Sequence, residues 1–110
     1  MSSEMICVFD RFFVPRERRP VFLERLPLFT GLMNAQRGMV ALRLVPPGEA
    51  GEPYAIHSTW LSRNHFQRWI SSPAFVLAIG ALSGNAAHPI VALKETELSA
   101  AHTAPLALAA

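Results

Sequence analysis

Charge is scarce in this 110-residue chain. Charged residues make up 16% of it and hydrophobic ones 51%, whereas charged residues usually account for about a quarter of a soluble domain. A small domain with so many apolar side chains has more nonpolar surface than one modest core hides, and a homodimer interface is the expected place for the remainder. Cysteine occurs once, as Cys7 inside an apolar run. An intrachain disulfide is therefore excluded, which suits a cytoplasmic protein, and the thiol is expected to be buried and inert. There is no basic stripe: the net charge is +2, and the signs alternate in Arg16-Glu17-Arg18-Arg19 and Glu24-Arg25. A nucleic-acid partner is not expected. No stretch approaches the ~20 uncharged apolar residues of a membrane span, and Met1-Ser2-Ser3-Glu4 does not begin a signal-peptide pattern. Paired histidines at helical spacing and cysteine clusters are both missing, so no zinc site is expected. Gly48-Glu49-Ala50-Gly51 falls in a turn-rich stretch rather than between strand and helix, so it does not read as a phosphate loop.

The chain reads as one domain, residues 1–110, with a core over about 5–98 and a flexible or partner-packed tail over 99–110. Met5 to Val14 is β-branched and aromatic, apolar on both faces, and predicts a first strand. Asp10 and Arg11 interrupt it, either as a paired or edge-exposed couple or as cavity-lining groups. Arg16 to Met33 carries a helical face, and Pro27 is expected to kink that helix or to start a second piece. Met39 to Val45 alternates, with Val40, Leu42 and Leu44 on one side and Met39, Ala41, Arg43 and Val45 on the other. The Pro46–Pro53 stretch is a dense turn signal, and Tyr54 to Leu61 closes a hairpin. Ser62 is placed to cap a helix with Phe66, Trp69 and Ile70 on one face, and Ser72-Pro73 to cap and restart it. Phe75, Val76, Ile79 and Leu82 continue the pattern. Pro89 to Leu98 predicts a last strand, with Lys94, Glu95 and Glu97 on its polar side. The order β-α-β-β-α-β predicts a ferredoxin-like α+β sheet. Because the first two strands are apolar on both sides, two such sheets are expected to pack face to face as a dimeric α+β barrel.

A strand ending in Trp60, then Ser62, then Phe66-x-x-Trp69-x-x-Ser72-x-x-Phe75 resembles the antibiotic biosynthesis monooxygenase (ABM) domain family, and most of all its IsdG-type haem-degrading branch. The likeness covers the length, the element order, the junction before the second helix and the final strand. It implies a dimeric barrel with a pocket between helices and sheet in each subunit. It also implies either cofactor-free oxidation of an aromatic substrate or degradation of haem. In the haem-degrading branch, an asparagine near the end of the first strand falls at Asp10, a helix tryptophan at Trp69 and the axial histidine at Ile79. Isoleucine cannot ligate iron, which leaves His65 and His88 as the other histidines to consider.

In the cofactor-free reading Trp69 supplies a pocket wall and an indole N–H donor, with Asp10 beside it as a second catalytic group. Arg43, His57 and Arg68 are the polar partners of the substrate, and Phe66 and Ile79 line its pocket. Trp60 is assigned to packing. The expected function is oxidation of a small aromatic or quinol-like metabolite by molecular oxygen, without a cofactor, in a homodimer. The alternatives are a haem-binding or haem-degrading monooxygenase and a non-catalytic dimeric barrel that binds a small molecule.

Overall fold

The computed structural model describes residues 4–100 apart from 50, 85, 86 and 88, and at 93 the backbone only. Along them run β1 (Ile6–Phe13), a 3₁₀ turn (Arg16–Arg18), α1 (Arg19–Asn34), β2 (Met39–Val45), β3 (Tyr54–Trp60), α2 (Arg63–Ile70), α3 (Pro73–Ser83) and β4 (Leu93–Ala100). The strands form one antiparallel sheet in the order β2-β3-β1-β4. This is the ferredoxin-like α+β arrangement expected from the sequence. No described helix is long and apolar enough to cross a membrane.

Strand alternation divides the side chains between two faces. Ile6, Val8, Asp10 and Phe12 of β1 pair with Trp60, Ser58, Ile56 and Tyr54 of β3 and share the helix side. There they meet Phe22, Leu26, Phe29 and Met33 of α1, Phe66 and Trp69 of α2, and Ala78 and Leu82 of α3 in one buried core. Cys7, Phe9 and Arg11 pair with Thr59, His57 and Ala55 on the other face.

Both serine caps form as expected. The Ser62 hydroxyl accepts from the His65 N–H at 3.2 Å, and the Ser72 hydroxyl from the Phe75 N–H at 3.1 Å. Each satisfies a free donor of the first turn.

Several expectations are corrected. α1 does not restart at Pro27: the helix runs through it, with the ring on the exposed side. The Thr30 hydroxyl donates to the Leu26 and Pro27 carbonyls nearby. β2 does not alternate cleanly. Met39 pairs with Trp60 and Ala41 with Thr59, so Val40 is the extra residue of a bulge and Met39 changes sides. Ile70 is 40% exposed, because α2 ends there and the chain turns into α3. Val76 is exposed too, and Ala78 takes the buried place beside Leu82. β4 starts at Leu93 rather than at Pro89, although Ile90 is buried in the core ahead of it. The expected tail begins within β4 at Ser99, and its remainder, 101–110, lies outside the described residues.

Candidate functional site

Asp10 and Arg11 do not pair with each other, since neighbours on a strand point to opposite faces. Arg11 binds Glu97 at 2.8 Å on the face away from the helices. Asp10 faces the helices at 3% exposure. A carboxylate so placed is costly unless it is paired and hydrogen-bonded, and β4 supplies both partners. The register sets Thr96 opposite Asp10 and Lys94 opposite Phe12. The Thr96 hydroxyl donates to Asp10 Oδ1 at 2.7 Å, and Lys94 Nζ lies 3.1 Å from the same oxygen. Lys94 Nζ also donates to Thr96 Oγ1 at 2.6 Å and sits 5.9 Å from the centre of the Phe12 ring. Lys94 therefore does not share a polar side with Glu95 and Glu97. It faces the helices, whereas they face away.

Trp69 is 1% exposed. Its ring meets Phe29 at 6.0 Å and Phe75 at 5.3 Å, both edge to face. The Ser72 hydroxyl donates to its carbonyl at 2.6 Å and fixes the α2–α3 corner. Phe12 in turn meets Phe29 edge to face at 5.7 Å. A run of aromatic contacts, Phe12 then Phe29, thus connects the Lys94–Asp10 pair to the indole. Phe66 is buried edge to face against Trp60, which is itself a core residue, and Ile79 is partly buried against the core.

The other expected polar partners lie elsewhere. Arg68 is on the exposed side of α2. Arg43 and His57 are cross-strand partners on the sheet face turned away from Asp10 and Trp69. His57 meets Phe9 edge to face at 4.6 Å, and its Nδ1 is buried without a hydrogen-bond partner. Burial first, then the Arg43 and Arg11 guanidinium groups, hold the imidazole below the ordinary histidine range. Within one chain the sheet therefore separates Asp10, Phe66, Trp69 and Ile79 from Arg43 and His57.

The sequence reading missed Lys94 and Thr96. Their signal was available in the alternation of the last strand, where 94 and 96 share a side against 95 and 97. The run of charges obscured it.

Among the described residues, one cavity of about 370 Å³ lies between α1 and β2, lined by Leu23, Leu26, Pro27, Thr30, Leu42 and Leu44. Another, of about 530 Å³, lies between the 3₁₀ turn and the hairpin tip and includes Arg16 and Arg19. Neither is lined by Asp10 or Trp69. No group of three or more His, Cys, Asp or Glu side chains gathers as a metal site among the described residues.

An antiparallel four-stranded sheet with helices on one face, and a buried carboxylate paired with a part-exposed lysine at the β4 edge, defines a ferredoxin-like α+β protein with a polar cluster beneath its helices. Residues 5–80 match the family model for antibiotic biosynthesis monooxygenases. The chain belongs to that family. Solved structures with the same fold include SnoaB, a cofactor-independent oxygenase from Streptomyces nogalater, in a mutant form. It is 19% identical over 90% of this chain and 94% of its own, with a TM-score of 0.74. A conserved protein from Methanosarcina mazei is 14% identical over 89% and 93%, at 0.74. A protein from Caulobacter crescentus, provisionally named an antibiotic biosynthesis monooxygenase, is 18% identical over 90% and 91%, at 0.75. At these identities the likeness speaks for the fold. No curated protein matches the sequence.

Proposed function

We propose that this chain is a cofactor-independent monooxygenase acting on a small phenolic or quinol-like metabolite, and that it works as a homodimer in the reducing cytoplasm. One observation carries the reading: the buried Asp10 carboxylate, held by Lys94 and Thr96 on the same side of the sheet as Trp69. The name of the structural neighbour SnoaB, a cofactor-independent oxygenase, supports it.

The chemistry follows from the pair. An electron-rich ring reacts with oxygen once its hydroxyl has lost a proton. Asp10 accepts that proton, and the Lys94 ammonium stabilises the resulting phenolate in a site of low dielectric. Oxygen then forms a C–O bond at the activated ring carbon as a peroxide. Its O–O bond breaks with loss of water, leaving a carbonyl. One oxygen atom enters the substrate and the other leaves as water with two substrate hydrogens, so no external reductant is consumed. Lys94 is part-exposed on an edge strand, which gives the pair a route to substrate. Trp69, Phe29 and Phe75 form a rigid aromatic support behind it.

The described residues do not fit an iron-bound haem. Ile79 has no donor atom, His57 lies across the sheet, and His65 stands in the first turn of α2 with its ring against Gly38, a full turn before Trp69. His88, the remaining candidate, lies outside the described residues.

Oxygen uptake with a panel of phenols and hydroquinones tests the proposal. A substrate that consumes oxygen is expected to lose about 10²- to 10⁴-fold of its rate in Asp10→Asn, the range for a lost general base. Trp69→Phe, which keeps an aromatic ring, should lose far less. If no compound raises uptake above background, the non-catalytic binding barrel replaces this reading. A Soret shift on adding micromolar haemin would reopen the haem reading.

A further inference from the structure

Where β1 leads into α1, two guanidinium groups stand without a partner. Arg16 is exposed, and Arg19, the first residue of α1, is half-buried. Neither is in an ion pair among the described residues. Arg19 Nε is buried with no hydrogen-bond partner, and a buried donor left in that state is costly. The group is also held in place. Its central carbon lies 5.8 Å from the centre of the Tyr54 ring, and Tyr54 is buried against Phe22. A fixed fork of this kind suits an oxyanion bound side-on by two parallel hydrogen bonds.

Two cavities meet at Arg19. The one of about 530 Å³ takes in Arg16 and Arg19 with Pro47, Gly48 and Glu49. A second, of about 230 Å³, is bounded by Phe13, Val14, Pro15 and Ala92. Val14, Arg19 and Gly51 border both, so they are neighbouring lobes of one cleft. The smaller lobe is apolar apart from Arg19, the backbone at Gly51 and Glu52. Glu52 Oε1 already accepts from the Gly48 and Glu49 N–H groups, at 2.8 and 3.0 Å. A cavity of about 150 Å³ accepts benzene, so this lobe has room for one such ring. In the larger lobe, Arg16 and Arg19 against Glu49 leave an excess of positive charge. α1 starts beside it with no acidic residue in its first turn, and its dipole adds to the same field.

We propose that this cleft binds a small aromatic carboxylate. Arg19 Nε and a terminal nitrogen donate to the two carboxylate oxygens, the ring fills the smaller lobe, and Arg16 serves as a second cation. A monoanion matches the charge of the lining, whereas Glu49 opposes a second negative charge on the ligand. An uncharged ring would leave Arg19 Nε unpaired. Neither lobe is lined by Asp10, Lys94 or Trp69, so the site stands whether or not the Asp10 pair is catalytic.

Benzoate is the probe, titrated into the isotope-labelled full chain and followed by the backbone amide resonances and the Trp69 indole N–H. Saturable shifts are expected at Val14, Arg19 and Gly51, with the Trp69 indole unmoved. Benzamide, the uncharged isostere, and inorganic phosphate should each bind at least about tenfold more weakly, the lower end of what a hydrogen bond to a charged group contributes. Arg19→Gln should lose at least about tenfold in benzoate affinity. Arg19→Lys, which keeps the cation but not the fork, should also weaken binding. Arg16→Gln should lose no more than about fivefold, the range of an exposed charge pair. The unchanged Trp69 indole resonance reports that each variant is folded. Absence of any shift at millimolar benzoate would overturn the proposal, as would shifts centred on Trp69 or wild-type affinity in Arg19→Gln. Benzamide binding as tightly as benzoate would reduce the cleft to an apolar pocket, and tighter phosphate binding would remove the carboxylate assignment. A larger loss in Arg16→Gln than in Arg19→Gln would overturn the role given to Arg19.

Discussion

Gly38 shows what a single position can hold. Its φ is +91°, in the range that side chains avoid, and a Cβ placed on it would run into the His65 ring. Gly38→Ala therefore meets two penalties: about 1–2 kcal/mol for the backbone conformation and about 1–3 kcal/mol for overpacking against the imidazole. Urea unfolding should show the sum, and adding His65→Ala should recover the second part and not the first. The sequence marks Gly38 as part of a connector and no more, because the contact joins residues far apart along the chain. Asp10 was legible as an anomaly, a charge in an apolar strand. Its partner was hidden, since Lys94 belongs to a charged run whose members look alike until the strand separates them.

At the scale of elements, local chemistry was legible wherever it is completed within a few residues. Ser62 and Ser72 announce helix starts, and both hydroxyls accept the expected N–H. Ser72 also donates to the Trp69 carbonyl, so it ties the end of α2 to the start of α3. Ser72→Ala should cost about 1 kcal/mol, a fall of roughly 4–8 °C in melting temperature for a domain near this size. Ser71→Ala, at an exposed position one residue earlier, should stay within the ~0.5 kcal/mol typical of surface sites, no more than about 2–4 °C in the melt. What depends on pairing was not legible. The Val40 bulge leaves no mark in the alternation of Met39–Val45, because the extra residue shows only against Thr59 and Trp60 of the neighbouring strand. Ile90 likewise imitates a strand residue: it is buried like one, ahead of a strand that begins at Leu93.

For the whole molecule, the sheet face turned away from the helices gives folding a pH response. His57 lies between Arg43 of β2 and Arg11 of β1, with Phe9 beside it and Glu97 and Glu95 of β4 beyond. Burial and the two guanidinium groups push its pKa down, so the folded state disfavours the protonated ring. For a base held below its unfolded value of about 6.5, stability is fully present above that pH and declines as pH falls through it. Urea melts taken from about pH 8 to about pH 5.5 should weaken on the acid side, and His57→Phe should flatten that slope. A slope unchanged in His57→Phe would assign it to other groups. β4 has a final consequence for how this chain tolerates change in length. Its even positions, 94 and 96, hold Asp10, while its odd positions, 95 and 97, face the opposite side. A single residue lost just before Lys94 would bring glutamates under the helices against Asp10 and send the lysine outward, spoiling the buried pair and the outer face in one step. The hairpin tip between β2 and β3 joins neither set. An insertion or deletion there would leave both sets in register.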